Sequence, residues 1–194
     1  MADNGKYKVF ANAKAIEKCP VVNKDGETSG SVFVAYVSFN GDEYVLFVKD
    51  RTKNYLTNPS GSRDIGEEFV DCAVRECEEE TSLVFDKHSV REIGSFDHSA
   101  WSFDVQWPGK SKVFCSGLKN ISQEEFERLT AFECDEIEKV LFIPVEKDGI
   151  KWSVVKGKFY FSTHHKICAE FAVSGGMRGT DWSGLKYLKN FKLQ

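Results

Sequence analysis

The sequence predicts an α/β fold, a mixed β-sheet covered by helices on both faces. Three observations support this. Runs of β-branched and aromatic residues at 31–39, 43–49 and 139–145 have the composition of strands. Apolar residues over 67–81 recur with helical spacing. Strands and helices also alternate along the chain, in the order β-β-loop-helix-β-β-β-helix-β-helix, and do not separate into two blocks. With 194 residues and 41% apolar content, the chain can bury one full core.

Residues 1–30 are mixed in character and read as an irregular or short-strand lead-in. Ser31–Phe39 (SVFVAYVSF) is a buried strand, Asn40-Gly41 a hairpin turn, and Glu43–Lys49 the returning strand. Asp50–Ser60 is polar and carries Pro59, which predicts a loop. The helix over 67–81 has a buried stripe of Phe69/Val70, Ala73/Val74 and Cys77. Strands follow at about 90–96, 101–107 and 111–117, with Pro108-Gly109 turning the last two. Ser122–Phe132 is a helix that starts on a capping box, Ser122 with Glu125. Lys139–Val145 is a strand, and Ser162–Ser174 a helix closing at Gly175-Gly176. Residues 177–194 hold Trp182, Leu185, Tyr187, Leu188 and Phe191 and read as a short helix or tail packed on the body. No repeat or linker divides the chain, so residues 1–194 are read as a single domain.

A net charge of −4 argues against broad electrostatic binding of nucleic acid. No run of eighteen apolar residues suggests a membrane span, and the N-terminal MADNGKYK lacks an apolar signal core. The C-terminal Lys192-Leu193-Gln194 is not a peroxisomal address. The six cysteines form no CxxC pair and no dense framework, which predicts reduced thiols in a cytosolic or nuclear protein. They show no zinc-ligand spacing with the four histidines. Nothing in the sequence indicates the oligomeric state.

Chemistry concentrates in residues 61–83, GSRDIGEEFVDCAVRECEEETSL. On a helix, Glu76, Glu79 and Glu80 share one face and repel each other. An acidic solvated helix would satisfy that pattern. So would a hard divalent cation such as Mg²⁺, which takes carboxylate oxygens, waters and substrate phosphates. The glycine-containing turn ahead of the helix can bring bare backbone close to such an ion.

The stretch resembles the Nudix box of the Nudix hydrolases. That pattern is Gly, five residues, Glu, seven residues, Arg-Glu, an apolar residue, any residue, Glu-Glu, any residue, Gly and an apolar residue. Gly61, Glu67, Arg75, Glu76, Glu79 and Glu80 all fall on it, Cys77 and Leu83 fill the apolar places, and Ser82 replaces the closing Gly. At a frequency of roughly 7% per residue type, six such matches arise by chance about once in ten million starts. VLFVKDR at 45–51 and CDEIEKVLFIPV at 134–145 extend the likeness, so that it covers roughly residues 31–146.

The resemblance implies an α/β/α sandwich and a pyrophosphohydrolase that uses Mg²⁺ or Mn²⁺. By position in the motif, Glu79 and Glu80 are metal ligands, and Glu76 is a third ligand or the base. Arg75 pairs with Glu67, and a Ser60 or Gly61 carbonyl adds an oxygen ligand. A further base or ligand comes from an acidic loop, with Glu133, Asp135 and Glu136 as candidates. Arg51 could hold a phosphate, or be an ordinary strand-end cation. Trp101, Phe103 and Trp107 could stack on a base or pack in the core. His98 and His164-His165 stay undecided.

The substrate class implied is a nucleoside diphosphate linked to another moiety. Its subclass is open. The proline typical of members acting on ADP-ribose, the Trp-Pro-Phe array of those acting on NADH, the lysine before the box glycine and the coenzyme A signature are all missing. Capped RNA stays among the candidate substrates. A second function class is a catalytically silent Nudix-fold module that binds a nucleotide or a protein.

Overall fold

Ala35 divides the first apolar run into β1 (Thr28–Val34) and β2 (Tyr36–Phe39), and the two halves enter different sheets. The computed structural model describes residues 28–52, 55–64, 66–102, 105–155, 160–174 and 192–193. Asn40 (φ 52°) and Gly41 (φ 89°) turn β2 into β3 (Asp42–Asp50), with Phe39 opposite Asp42. Two positive φ angles in a two-residue connection are what an Asn-Gly hairpin requires.

The segment expected as a loop over 50–60 holds two short strands, β4 (Tyr55–Thr57) and β5 (Ser60–Ser62). Pieces this short carry no readable alternation. Their pairing partners, β3 for one and β1 for the other, are supplied by the fold. Helix α1 (Phe69–Thr81) comes next. The three strands expected over 90–117 are two long ones, β6 (Val90–Ser102) and β7 (Val105–Ser116). Pro108-Gly109 is therefore not a turn: it lies inside β7, opposite Ser99 and His98. Proline is tolerated there because the described β1–β7 pairing begins only at Gly109, which leaves the second edge unpaired among the described residues.

β8 (Lys119–Asn120) leads to α2 (Gln123–Thr130), which starts on the expected capping box between Ser122 and Glu125. The chain continues as β9 (Ile137–Glu146), β10 (Gly149–Ile150), β11 (Tyr160–Phe161), α3 (Thr163–Ser174) and β12 (Lys192–Leu193). β12 pairs with β6 at Gly94 and Ser95. The rest of the expected C-terminal tail, the 1–27 lead-in and Gly175-Gly176 lie outside the described residues.

The fold is α/β with mixed strands, arranged as two sheets. One runs β12-β6-β7-β1-β5, and the other β10-β9-β3-β2-β8 with β4 on β3 and β11 on β4. Alternation along β1 and into Ala35 sends Val32 and Val34 to the cluster containing Cys168, Ala169 and Phe171 of α3. Phe33 and Ala35 go to the cluster containing Ala73 and Cys77 of α1 and Leu129 of α2. One strand thus anchors helices on both of its faces, and α1 is held against the sheet by Cys72, Ala73, Cys77 and Thr81. Of the expected stripe, Ala73 and Cys77 are buried, and Phe69, Val70 and Val74 are partly buried.

The five described cysteines (Cys72, Cys77, Cys115, Cys134 and Cys168) are free thiols, and Cys19 lies outside the described residues. Among the described residues no helix is long and apolar enough to cross a membrane.

Ser82 closes α1 in the left-handed region (φ 61°, ψ 12°), its N–H donating to the Glu78 carbonyl at 2.7 Å. The sharp turn expected there is present. Ser in this conformation costs about 1 kcal/mol, and its buried Oγ has no hydrogen-bond partner. Ser82→Gly removes both costs, while the greater freedom of the unfolded chain offsets part of the gain. The expected result of thermal melting is an unchanged or modestly higher melting temperature. A clear drop would contradict the left-handed geometry.

Candidate active site

The middle of α1 carries the site, and β5 runs beside it. Gly61 lies so close to Glu76 that a β-carbon there would stand 2.1–2.2 Å from the Glu76 carboxyl atoms. Only a glycine leaves room for that carboxylate. Behind it, a β-carbon at Gly30 would stand 2.5 Å from the Gly61 carbonyl oxygen. The Gly30 backbone, the Gly61 peptide and the Glu76 carboxylate form three layers in direct contact. The role of Gly30 is not evident from the box pattern, although a glycine within a strand marks close backbone approach.

Arg75 is the hub of the carboxylates. Its Nε donates to Glu67 Oε1 (2.8 Å), its Nη1 to Glu76 Oε1 (2.8 Å) and Glu79 Oε2 (3.0 Å), and its Nη2 to Glu67 Oε2 (3.1 Å) and the Ser62 carbonyl (3.0 Å). A planar guanidinium meets Glu67 bidentately and still reaches two other acids. The Arg75–Glu67 pair implied by the family motif is therefore present. It holds the Glu67 carboxyl below the usual carboxylate range, the hydrogen bond from Arg75 being the largest cause. Glu67 also accepts from the Asp64 N–H at 2.9 Å, which locks the loop before the helix.

Burial first, and the neighbouring Glu79 and Glu136 to a smaller extent, push Glu76 up to about 6 against the opposing pull of Arg75. Its charged form is thus under-compensated. Glu80 accepts from the Ser60 N–H at 2.9 Å, tying the last carboxylate to β5. Glu76, Glu79 and Glu80 form one wall of a cleft of about 420 Å³, and Cys134, Asp135 and Glu136 line the rest. From the sequence, Cys134 reads only as one of the reduced thiols. Its place in the cleft is set by the course of the loop before β9.

The remaining expected site residues lie around this cleft or away from it. Ser60 and Gly61 are in β5 and do not line it, and the Gly61 carbonyl accepts from the Cys72 thiol at 3.8 Å. Arg51 directs Nε to the Cys134 carbonyl (2.7 Å) and Nη2 to Glu133 (3.0 Å). Trp101 is in β6 and Trp107 in β7, with side chains outside the described residues, as Phe103 is altogether. His164 packs against Phe96 at a tilt, with ring centroids 4.9 Å apart, and His165 Nδ1 accepts from the Asn58 N–H at 3.0 Å.

The donors fit a hard divalent cation in kind: they are carboxylate oxygens, crowded on one face and short of positive charge. They are not a preformed cage, for among the described residues no group of three His, Cys, Asp or Glu side chains converges closely enough to hold an ion. Arg75 bridges Glu76 and Glu79, so an ion entering the cleft would share those carboxylates with a guanidinium.

The family model for the NUDIX domain matches residues 29–159. Among solved structures, the chain is similar to a MutT/nudix family protein from Enterococcus faecalis (16% identity, TM-score 0.57, covering 88% of this chain and 73% of that one). It is similar to the NUDIX domain of Shewanella oneidensis NrtR complexed with ADP ribose (12% identity, TM-score 0.53, covering 86% and 94%). It is also similar to the E. coli dihydroneopterin triphosphate pyrophosphohydrolase (16% identity, TM-score 0.53, covering 76% and 96%). At these identities the likeness is one of fold. A search of curated proteins finds no match.

Proposed function

This chain belongs to the Nudix family, and from that premise we propose that it is a metal-dependent hydrolase of a pyrophosphate bond in a nucleoside diphosphate linked to another moiety. The observation that carries the reading is the cleft in which Glu76, Glu79 and Glu80 face Asp135 and Glu136. Glu79 and Glu80 are the proposed ligands of Mg²⁺ or Mn²⁺, and Glu76 a third ligand or the base. When bound, the cation supplies neutralisation of phosphate charge and activation of a water.

The residues of the chain do the rest. Arg75 and Glu67 brace the loop against α1, which fixes where the carboxylates point. Glu76, its charge disfavoured by burial, is suited to accept a proton from an attacking water near neutral pH. Asp135 and Glu136 close the opposite wall. The proposed setting is the cytosol or nucleus, which suits free thiols.

A second reading is a catalytically silent Nudix-fold module that binds a nucleotide or a protein; the Shewanella NUDIX domain was solved with ADP ribose bound. A substrate panel separates the two. With Mg²⁺ or Mn²⁺ present, the protein is offered ADP-ribose, NADH, diadenosine polyphosphates, nucleotide sugars, oxidised nucleoside triphosphates, capped RNA and diphosphoinositols. Release of phosphate or mononucleotide from one of them is the expected result and names the substrate. Binding without turnover across the whole panel would replace the enzyme with the module.

A further inference from the structure

We propose that Arg51 is a positioning residue of the cleft: it clamps the 133–136 loop so that Asp135 and Glu136 face the box carboxylates. The inference rests on the reading of that cleft as a divalent-cation site.

Arg51 holds the loop at three points. Its backbone N–H donates to the Glu136 carbonyl (2.9 Å), its Nε to the Cys134 carbonyl (2.7 Å) and its Nη2 to the Glu133 carboxylate (3.0 Å). The loop itself is a closed unit. The Cys134 N–H donates to the Ile137 carbonyl (2.9 Å), and the Ile137 N–H to the Cys134 sulfur (3.3 Å). A unit closed on itself moves as one piece, so its bonds to Arg51 decide where its carboxylates stand.

The end of β3 is shaped for this grip. The β3–β9 register shifts between Lys49 and Asp50: Lys49 faces Lys139, while Asp50 faces Ile137. The extra residue is Glu138, so the bulge bends β9 and re-aims the residues that lead into it. Asp50 Oδ1 then accepts from both the Thr52 N–H (2.7 Å) and the Thr52 hydroxyl (2.6 Å), fixing the backbone around Arg51. Lys49 Nζ donates to the Asp50 carbonyl at 2.7 Å. Strand end and turn present the guanidinium, and the bulge in β9 sets the course of the loop that meets it. A phosphate contact, the other role expected of Arg51, would fall to the guanidinium N–H groups that do not serve these bonds.

The test measures Mn²⁺ affinity of the full-length, metal-free protein from the electron paramagnetic resonance signal of free Mn²⁺. The proteins are the wild type, Arg51→Ala, Arg51→Lys, the double variant Asp135→Asn/Glu136→Gln, and that double variant combined with Arg51→Ala. Arg51→Ala is expected to weaken Mn²⁺ binding about tenfold, the lower end of the range for groups that orient metal ligands. Arg51→Lys should recover part of the loss, since an ammonium keeps one of the two side-chain contacts. In the loop double variant, Arg51→Ala should change the affinity by much less than in the wild type, because the carboxylates through which it acts are gone. Hydrogen exchange at the Cys134 amide should accelerate in Arg51→Ala.

Unchanged Mn²⁺ affinity in Arg51→Ala, or a loss that adds fully to that of the loop variant, overturns the proposal while the metal-site reading stands. Faster exchange with unchanged affinity overturns it equally, since Arg51 would then be merely structural. A raised KM with unchanged Mn²⁺ affinity would move Arg51 to phosphate binding. A wild type that binds no Mn²⁺ removes the metal-site reading and the clamp with it.

Discussion

Glu79→Gln and Glu80→Gln each lower turnover by at least about a hundredfold, the scale on which loss of one charge-stabilising group costs a catalyst, with the fold intact. Glu79 is 58% exposed, and its carboxylate accepts from Arg75 Nη1. A Gln oxygen can still accept that bond. Glu80 accepts from the Ser60 N–H, which a Gln oxygen can also meet. Each change removes one negative charge from a crowded face. In the metal-free protein this relieves repulsion, so the melting temperature should hold or rise slightly. With Mg²⁺ present, the variants should gain less thermal stabilisation than the wild type, because stabilisation by a ligand grows with its affinity. Steady-state kinetics on the substrate found by the panel, with melting curves at zero and saturating Mg²⁺, checks both halves. Wild-type turnover in both variants would refute the ligand assignment.

Gly61→Ala and Gly30→Ala should separate activity from stability. At Gly61 the added methyl meets the Glu76 carboxyl atoms at 2.1–2.2 Å. These are the far end of a flexible side chain, so Glu76 swings away. The carboxylate leaves its place between Gly61 and Arg75, and turnover falls by at least about tenfold, as misplacement of about 1 Å can cost a hundredfold. Stability changes little, because the departing carboxylate also leaves a position that disfavours its charge. At Gly30 the methyl meets the Gly61 carbonyl oxygen at 2.5 Å, and a paired backbone cannot step aside. Overpacking of this kind costs about 1–3 kcal/mol. At roughly 2–4 °C per kcal/mol for a chain of this size, Gly30→Ala melts several degrees below the wild type. Equal melting temperatures for Gly30→Ala and wild type would contradict the layered packing.

The sequence by itself determined the α/β class, the box helix, the Asn40-Gly41 hairpin and the Ser122–Glu125 cap, because each is a local matter. Helical spacing places Glu76, Glu79 and Glu80 on one face whatever surrounds them. Asn-Gly supplies two positive φ angles, and Ser with Glu three residues on satisfies its own helix end. The spacing of Gly61, Glu67 and Arg75 was legible for the same reason, and the Arg75–Glu67 pair is present as the motif implied.

The tertiary structure alone decided the rest. Pro108-Gly109 looks like a turn until β7 is seen to run through it on an edge left open among the described residues. The three-residue strands β4 and β5 exist only because β3 and β1 offer partners. The second wall of the cleft comes from residues 134–136, far along the chain from the box, and its contact with Arg51 spans 82–83 residues. Local spacing cannot encode such distances. They are set when a sheet pairs β3 with β9 and brings the end of one strand beside the loop that starts the other.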